Sequence, residues 1–248
     1  MNLSMWKSIS VCLQGTSHKK SNIPCQDVVK SECLGNGCII VLSDGAGSCR
    51  FSEYGANITC DLILDFFKQD FSYIYDLDCK ILQEKIIHRI RTRLGLKAKS
   101  LSSNKDELSS TLCFVVVKDD RFIAGHIGDG IIGAIRDNDE CNLISDSERG
   151  EFANTTYFTT SHNYHAHFRL YKGDCSHYKS FFIMSDGAAD CLYDKRKNIF
   201  AKAINIFSSW IEHYSVKEVN QALYDNLIGL IPKHTTDDSS FAMCQREI

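Results

Sequence analysis

Proline is nearly missing from this 248-residue chain, which has only 2. No stretch rich in Pro, Gly or Ser divides it, so an interdomain linker is not expected and residues 1–248 read as a single domain. No repeat of solenoid period runs along it. No apolar run approaches the ~20 residues that a membrane-spanning helix needs, and the amino terminus has no charged region followed by a long apolar stretch. Neither sign of charge dominates: Lys+Arg 28 against Asp+Glu 31 leaves a net charge of -3, which offers no footprint for nucleic acid or an anionic membrane. The stretch from His88 to Lys99 is basic, but its apolar residues fall at helical spacing, so it reads as the solvated face of an amphipathic helix.

Cysteine is abundant instead, at 12 residues, yet Cys-x-x-Cys pairs are absent. The cysteines are scattered singly, and Cys38, Cys113 and Cys244 sit inside apolar runs. That pattern argues against a zinc site or a disulfide framework and for buried free thiols in a reducing compartment, so the expected location is the cytoplasm.

Apolar runs predict strands near residues 6–13, 37–43, 111–118, 121–127, 131–136, 180–185 and 240–244. A helix is expected over about 53–69, where Ala56, Cys60, Ile63, Phe66 and Phe67 share a face, and another over about 78–96, with Ile81, Ile86, Ile87, Ile90 and Leu94. A late helix starts at Ser215, with Glu218 as its capping-box partner, and stops before Pro232. Strands, two helices, several strands, helices and a last strand make an α+β layered domain.

Several of these runs end in an acid. Ile39-Ile40-Val41-Leu42 leads into Ser43-Asp44-Gly45, and Phe181-Phe182-Ile183-Met184 leads into Ser185-Asp186-Gly187. The run 121–127 ends in Gly128-Asp129-Gly130, while Thr236-Asp237-Asp238 precedes Phe241-Ala242-Met243-Cys244. A single Asp-Gly is a common hairpin turn. A series of strand-end carboxylates, each with a glycine that lets the backbone turn, can instead line one cleft and hold hard divalent cations.

Taken with Cys25-Gln26-Asp27, Ser110-Thr111, Ala46-Gly47-Ser48 after the first Asp-Gly, Ala188-Ala189-Asp190 after the second and Ser239-Ser240, the order of motifs resembles the metal-dependent Ser/Thr protein phosphatases of the PPM or type 2C class, in their compact bacterial form. The resemblance implies two stacked antiparallel β-sheets flanked by helical layers, an α-β-β-α sandwich. It implies Mn²⁺ or Mg²⁺ as cofactor, two ions with a weaker third, and hydrolysis of phosphoserine or phosphothreonine by a metal-bridging hydroxide. Asp44 is similar to the bridging ligand, Gly45 supplies a backbone carbonyl, and Asp186 and Asp237 match further ligands of the first metal. Asp129 and Asp190 match the third site, with Thr111 beside it, and Asp27 matches an acid that orients metal-bound water.

Two departures bear on mechanism. Ala46 stands where many members place the His that protonates the leaving alkoxide, and His18 on the loop before Asp27 is the candidate replacement. Asn22 stands near the place of a phosphate-clamping Arg, leaving Lys19 and Lys20 as candidate phosphate-binding charges without the bidentate fork. Residues 146–179, including His162, His165 and His167, lack Cys or acidic partners at ligand spacing and read as the flap beside the cleft, where the resemblance places substrate contacts. The implied partner is a phosphoprotein opposed by a Ser/Thr kinase, with no nucleic acid and no membrane. The missing Cys-x5-Arg pattern disfavours thiolate phosphatases, and the missing basic aromatic surface disfavours a two-metal nuclease. The alternative is a non-catalytic phosphatase-like regulatory or phosphoprotein-binding module.

Overall fold

In β3 (Gly37–Asp44), alternate residues point to opposite faces and both faces are buried. Ile39 and Val41 pack outward against helices, while Ile40 and Leu42 pack inward against a second sheet. This explains why the strand reads as a continuous apolar run rather than an alternating one. The computed structural model describes residues 5–148 and 156–247. Its strands, in chain order, are β1 (Trp6–Leu13), β2 (Asp27–Leu34), β3, β4 (Leu112–Lys118), β5 (Arg121–Ile127), β6 (Ile131–Arg136), β7 (Cys141–Ser145), β8 (Arg169–Asp174), β9 (Tyr178–Met184), the short β10 (Tyr193–Asp194) and β11 (Ile199–Phe200), and β12 (Ser239–Arg246). Its helices are α1 (Thr16–Ser21), α2 (Ser52–Phe67), α3 (Phe71–Asp76), α4 (Cys79–Ser100), α5 (Tyr164–His167), α6 (Asp186–Leu192), α7 (Ala203–His213) and α8 (Val216–Leu230).

One sheet has the order β1-β12-β9-β6-β7 and the other β2-β3-β4-β5-β8, with every ladder antiparallel. Between them lies a core of Ile40, Leu42, Val115, Phe181, Ile183 and Ala242. On the outside, α2 and α4 cover the second sheet with Ile63, Phe67, Ile87 and Ile90, and α7 and α8 cover the first with Phe207, Ile211, Leu223 and Leu227. Each such side chain, fully removed from water, contributes about 1.5–3 kcal/mol before the entropy of ordering it is subtracted. The result is the expected α-β-β-α sandwich.

The capping box at Ser215 and Glu218 forms as read. Other expectations differ. Ile81 is exposed, and Leu82 takes its place on the buried face of α4. β2, β7 and β8 were not expected from pattern: β2 and β8 are edge strands of one sheet and β7 of the other, and their half-exposed residues blur the apolar signal. The expectation of free thiols also needs correction, because Cys33 and Cys38 lie opposite each other across the β2–β3 hairpin and form a disulfide. The other cysteines are free.

Candidate metal centre

The acids converge because the sheets end together. β3 delivers Asp44 to its terminus, and Asp27, the first residue of β2, is its cross-strand partner in the register. Thr111 clamps this corner: its amide donates to the Asp44 carbonyl (2.8 Å), its hydroxyl accepts from the Asp44 amide (2.9 Å), and its carbonyl accepts from the Ser43 hydroxyl (2.6 Å). The Gly45 amide donates to the Gln26 carbonyl (3.1 Å), and a Cβ on Gly45 would lie 2.8 Å from that of Ser52, so only glycine passes there. From the other sheet, β9 ends at Met184 and α6 begins with Asp186. A Cβ on Gly187 would sit 2.2 Å from the Asp238 carbonyl oxygen, which shows how closely this turn approaches the start of β12.

The carboxylate oxygens of Asp44, Asp129 and Asp186 lie within 4.8 Å of one another. They line a cleft of about 540 Å³ together with Asp237, His18, Gln26, Thr111, the 45–48 backbone turn, Thr156 and Phe158. Among the described residues no Lys or Arg lines it. Asp27 is buried beside Asp44, with the hydroxyls of Ser185 and Ser240 also near its carboxyl, whereas Gln26 Oε1 at the cleft is buried and unpartnered. Burial, followed by the neighbouring Asp27, Asp186 and Asp129, holds the Asp44 carboxyl well above the usual carboxylate range. Burial and then Asp129 and Asp237 push Asp186 up to about 7, and burial pushes Asp27 to about 6. Four acids facing one cleft that no Lys or Arg among the described residues lines, with the unpartnered Gln26 Oε1 beside them, are the donor set a hard divalent cation requires. The residues fit the metals that the motifs implied.

Not every sequence candidate reaches the cleft. Lys19 faces a neighbouring groove and Lys20 is exposed. Asp190 lies exposed on α6, four residues beyond Asp186, and is not among the lining residues. His18 does line the cleft, and its Nδ1 is 2.9 Å from Asp238 Oδ2, within pairing distance though not aligned as a hydrogen bond.

Asp238 was not singled out from sequence. Buried beside Asp237, it accepts from the amides of Gly15 and Gln26, both at 2.6 Å, and so fixes both ends of the loop that carries His18. Its signal was the doubled acid before β12, whose two members face different ways. Residues 149–155 of the expected flap lie outside the described residues. In the described part, Arg91 of α4 donates to the carbonyls of Thr159 (3.0 Å) and Thr160 (2.7 Å). His167 stacks on Tyr157 and pairs with Glu148 at 2.7 Å, so it serves packing.

The protein phosphatase 2C profile matches residues 14–227. The chain belongs to the protein phosphatase 2C family. Among solved structures, the catalytic domain of the serine/threonine phosphatase PstP, in complex with two manganese ions, superposes with a TM-score of 0.69 at 14% identity, covering 99% of this chain and 100% of that one. Stp1 from Staphylococcus aureus, a serine/threonine phosphatase, gives 0.66 at 16% identity over 100% and 98%. PppA, a regulatory component of the T6SS in Pseudomonas aeruginosa, gives 0.63 at 16% over 98% and 99%. At such identity the likeness carries the fold. Comparison with curated proteins returns no significant match.

Proposed function

We propose that this protein phosphatase 2C member removes phosphate from serine and threonine side chains of proteins in a metal-dependent reaction at the acidic cleft. The observation that carries the reading is the convergence of Asp44, Asp129 and Asp186 within 4.8 Å in a cleft that no Lys or Arg among the described residues lines. A phosphate dianion cannot enter such a site against four carboxylates unless cations neutralise them. Bound there, a pair of divalent ions supplies charge neutralisation for the phosphoryl group and a water acidified to near neutral pH.

The protein's own part is positional. Asp44, the Gly45 carbonyl, Asp186 and Asp237 would hold the principal ions and Asp129 a weaker third, which Asp190, outside the cleft, does not reach. Asp27, buried against Asp44, would hold the Asp44 carboxyl in place and orient a water on ions bound there. The Thr111 clamp keeps the Asp44 backbone from shifting as charge moves. His18, at the cleft wall beside Asp238, delivers a proton to the departing serine or threonine oxygen. Lys19 and Lys20, outside the cleft, attract the phosphoprotein rather than clamp its phosphate. The all-oxygen donor set suits Mn²⁺ or Mg²⁺. The substrate is a phosphoprotein that a Ser/Thr kinase produces, which places the enzyme in signalling. We read the cytoplasm as its site of action, and among the described residues no helix is long and apolar enough to cross a membrane.

The test is hydrolysis of a phosphothreonine peptide and an aryl phosphate with Mn²⁺, Mg²⁺ or EDTA. Turnover with either ion and none with EDTA is expected. Binding of the phosphopeptide without turnover under any metal would favour a non-catalytic binding module instead.

A further inference from the structure

Cys12, near the end of β1, and Cys25, two residues before β2, sit at strands of different sheets, yet their sulfurs lie 3.4 Å apart. Both are free and half-buried, and Cys12 also lines a groove between β1 and α8 that leads to solvent. The two thiols crowd one acceptor: Cys12 Sγ is 3.4 Å and Cys25 Sγ 3.7 Å from the backbone carbonyl oxygen of Asp27. They also bracket the loop that holds His18, Lys19 and Lys20, and Cys25 is joined through Gln26 to the Asp238 hydrogen bond.

We propose that Cys12 and Cys25 are a redox modification site, forming a reversible disulfide that staples the two sheets behind the acidic cleft and lowers turnover. The inference of lowered turnover rests on the phosphatase reading; the disulfide does not. The oxidant class is a hydroperoxide. The Cys12 sulfur attacks the peroxide oxygen, the O–O bond breaks, and a sulfenic acid forms with release of water or an alcohol. The Cys25 sulfur then attacks the sulfenic sulfur, its proton leaves with the hydroxyl as water, and the S–S bond closes. Two thiol sulfurs are oxidised by two electrons in all, and one peroxide is reduced. Cys12 lines the groove open to solvent and Cys25 does not, so a peroxide meets Cys12 first.

Closing 3.4 Å to a bond of ~2.05 Å draws the two sulfurs, and the segments that carry them, together by roughly 1.3 Å at the sulfur. Both S–H donors to the Asp27 carbonyl are lost in the same step. Misplacing a positioning group by about 1 Å costs up to ~100-fold in rate, so oxidised enzyme should fall at least ~10-fold in kcat.

The experiment treats the full chain, loaded with Mn²⁺, with a few equivalents of hydrogen peroxide. It maps disulfides by mass spectrometry under non-reducing conditions and follows aryl phosphate turnover before and after dithiothreitol. Expected is a 12–25 cross-linked peptide lighter by two hydrogens, with activity lost in wild type and in Cys79→Ser, restored by reductant, and unaffected by peroxide in Cys12→Ser and Cys25→Ser. Absence of the 12–25 peptide overturns the proposal and leaves the phosphatase reading intact. A 12–25 link with unchanged turnover overturns the coupling to the cleft. A reduced enzyme without metal-dependent turnover counts against the phosphatase reading alone, and the peptide map still decides the pair.

Discussion

Replacing Asp44 by Asn keeps the shape of a side chain at the centre of the acid cluster and removes its charge. In the metal-free protein, Asp44 faces Asp129 and Asp186 with oxygens within 4.8 Å. Two unit charges at that separation repel by about 1 kcal/mol in water and about 3.5 kcal/mol at an effective dielectric of 20. The cleft is open on one side, so D44N should stabilise the metal-free protein by about 1–3 kcal/mol per relieved pair. The size of this gain depends on pH. The folded-state carboxyls of Asp44, Asp186 and Asp27 are raised above their unfolded values, Asp186 to about 7 and Asp27 to about 6. The folded state therefore binds more protons than the unfolded state between about pH 4 and 7, and metal-free stability falls as pH rises through that window. The gain from D44N should be present at pH 8 and vanish near pH 4, where wild type carries no repulsion to relieve. Urea unfolding in EDTA at both pH values measures it. With Mn²⁺ present the same variant should lose at least ~100-fold in turnover, about 2.7 kcal/mol of barrier. An equal stability change at pH 4 and pH 8, or activity within a few-fold of wild type, would refute the electrostatic argument.

Asp186→Ala and Asp237→Ala should each abolish the tightest Mn²⁺ site in calorimetric titration despite their distance in sequence; two variants with wild-type stoichiometry and affinity would separate these residues from the centre. Gly187→Ala places a Cβ 2.2 Å from the Asp238 carbonyl oxygen, so the turn must move, with an expected loss of about 1–3 kcal/mol in urea unfolding and weaker Mn²⁺ binding; unchanged metal affinity would show that this close approach does not hold the site. His18→Ala should slow phosphoserine peptide hydrolysis about 10²-fold or more and aryl phosphate hydrolysis far less, because an aryl oxygen leaves without full protonation, and Ala46→His in that background should restore the peptide rate. If neither change alters the ratio of the two rates, proton delivery does not pass through His18.

The acids at the strand ends were legible in the sequence because a strand buried on both faces is a continuous apolar run, and the Asp that ends it stands out. The late helix was legible because Ser215 and Glu218 act on each other within one turn. Helix α4 was legible in extent but not in its exact face, since Ile81 and Leu82 are neighbours and only packing against α2 and the sheet decides which is buried. Edge strands β2, β7 and β8 left weak traces because half their surface meets solvent.

What the tertiary structure alone decided are relations between residues on different elements, some adjacent in the chain and some far apart. The register that sets Asp27 against Asp44 depends on the β2–β3 hairpin, and that hairpin also joins Cys33 to Cys38. The role of Asp238 depends on two amides more than 200 residues away, at Gly15 and Gln26. The contact of Cys12 with Cys25 depends on how one sheet stacks on the other. Local sequence determines which residues end a strand or begin a helix, because propensity, capping and periodicity act over a few residues. Which of those ends meet is determined by sheet order and stacking, where burial is shared across the whole chain and no short stretch carries the information.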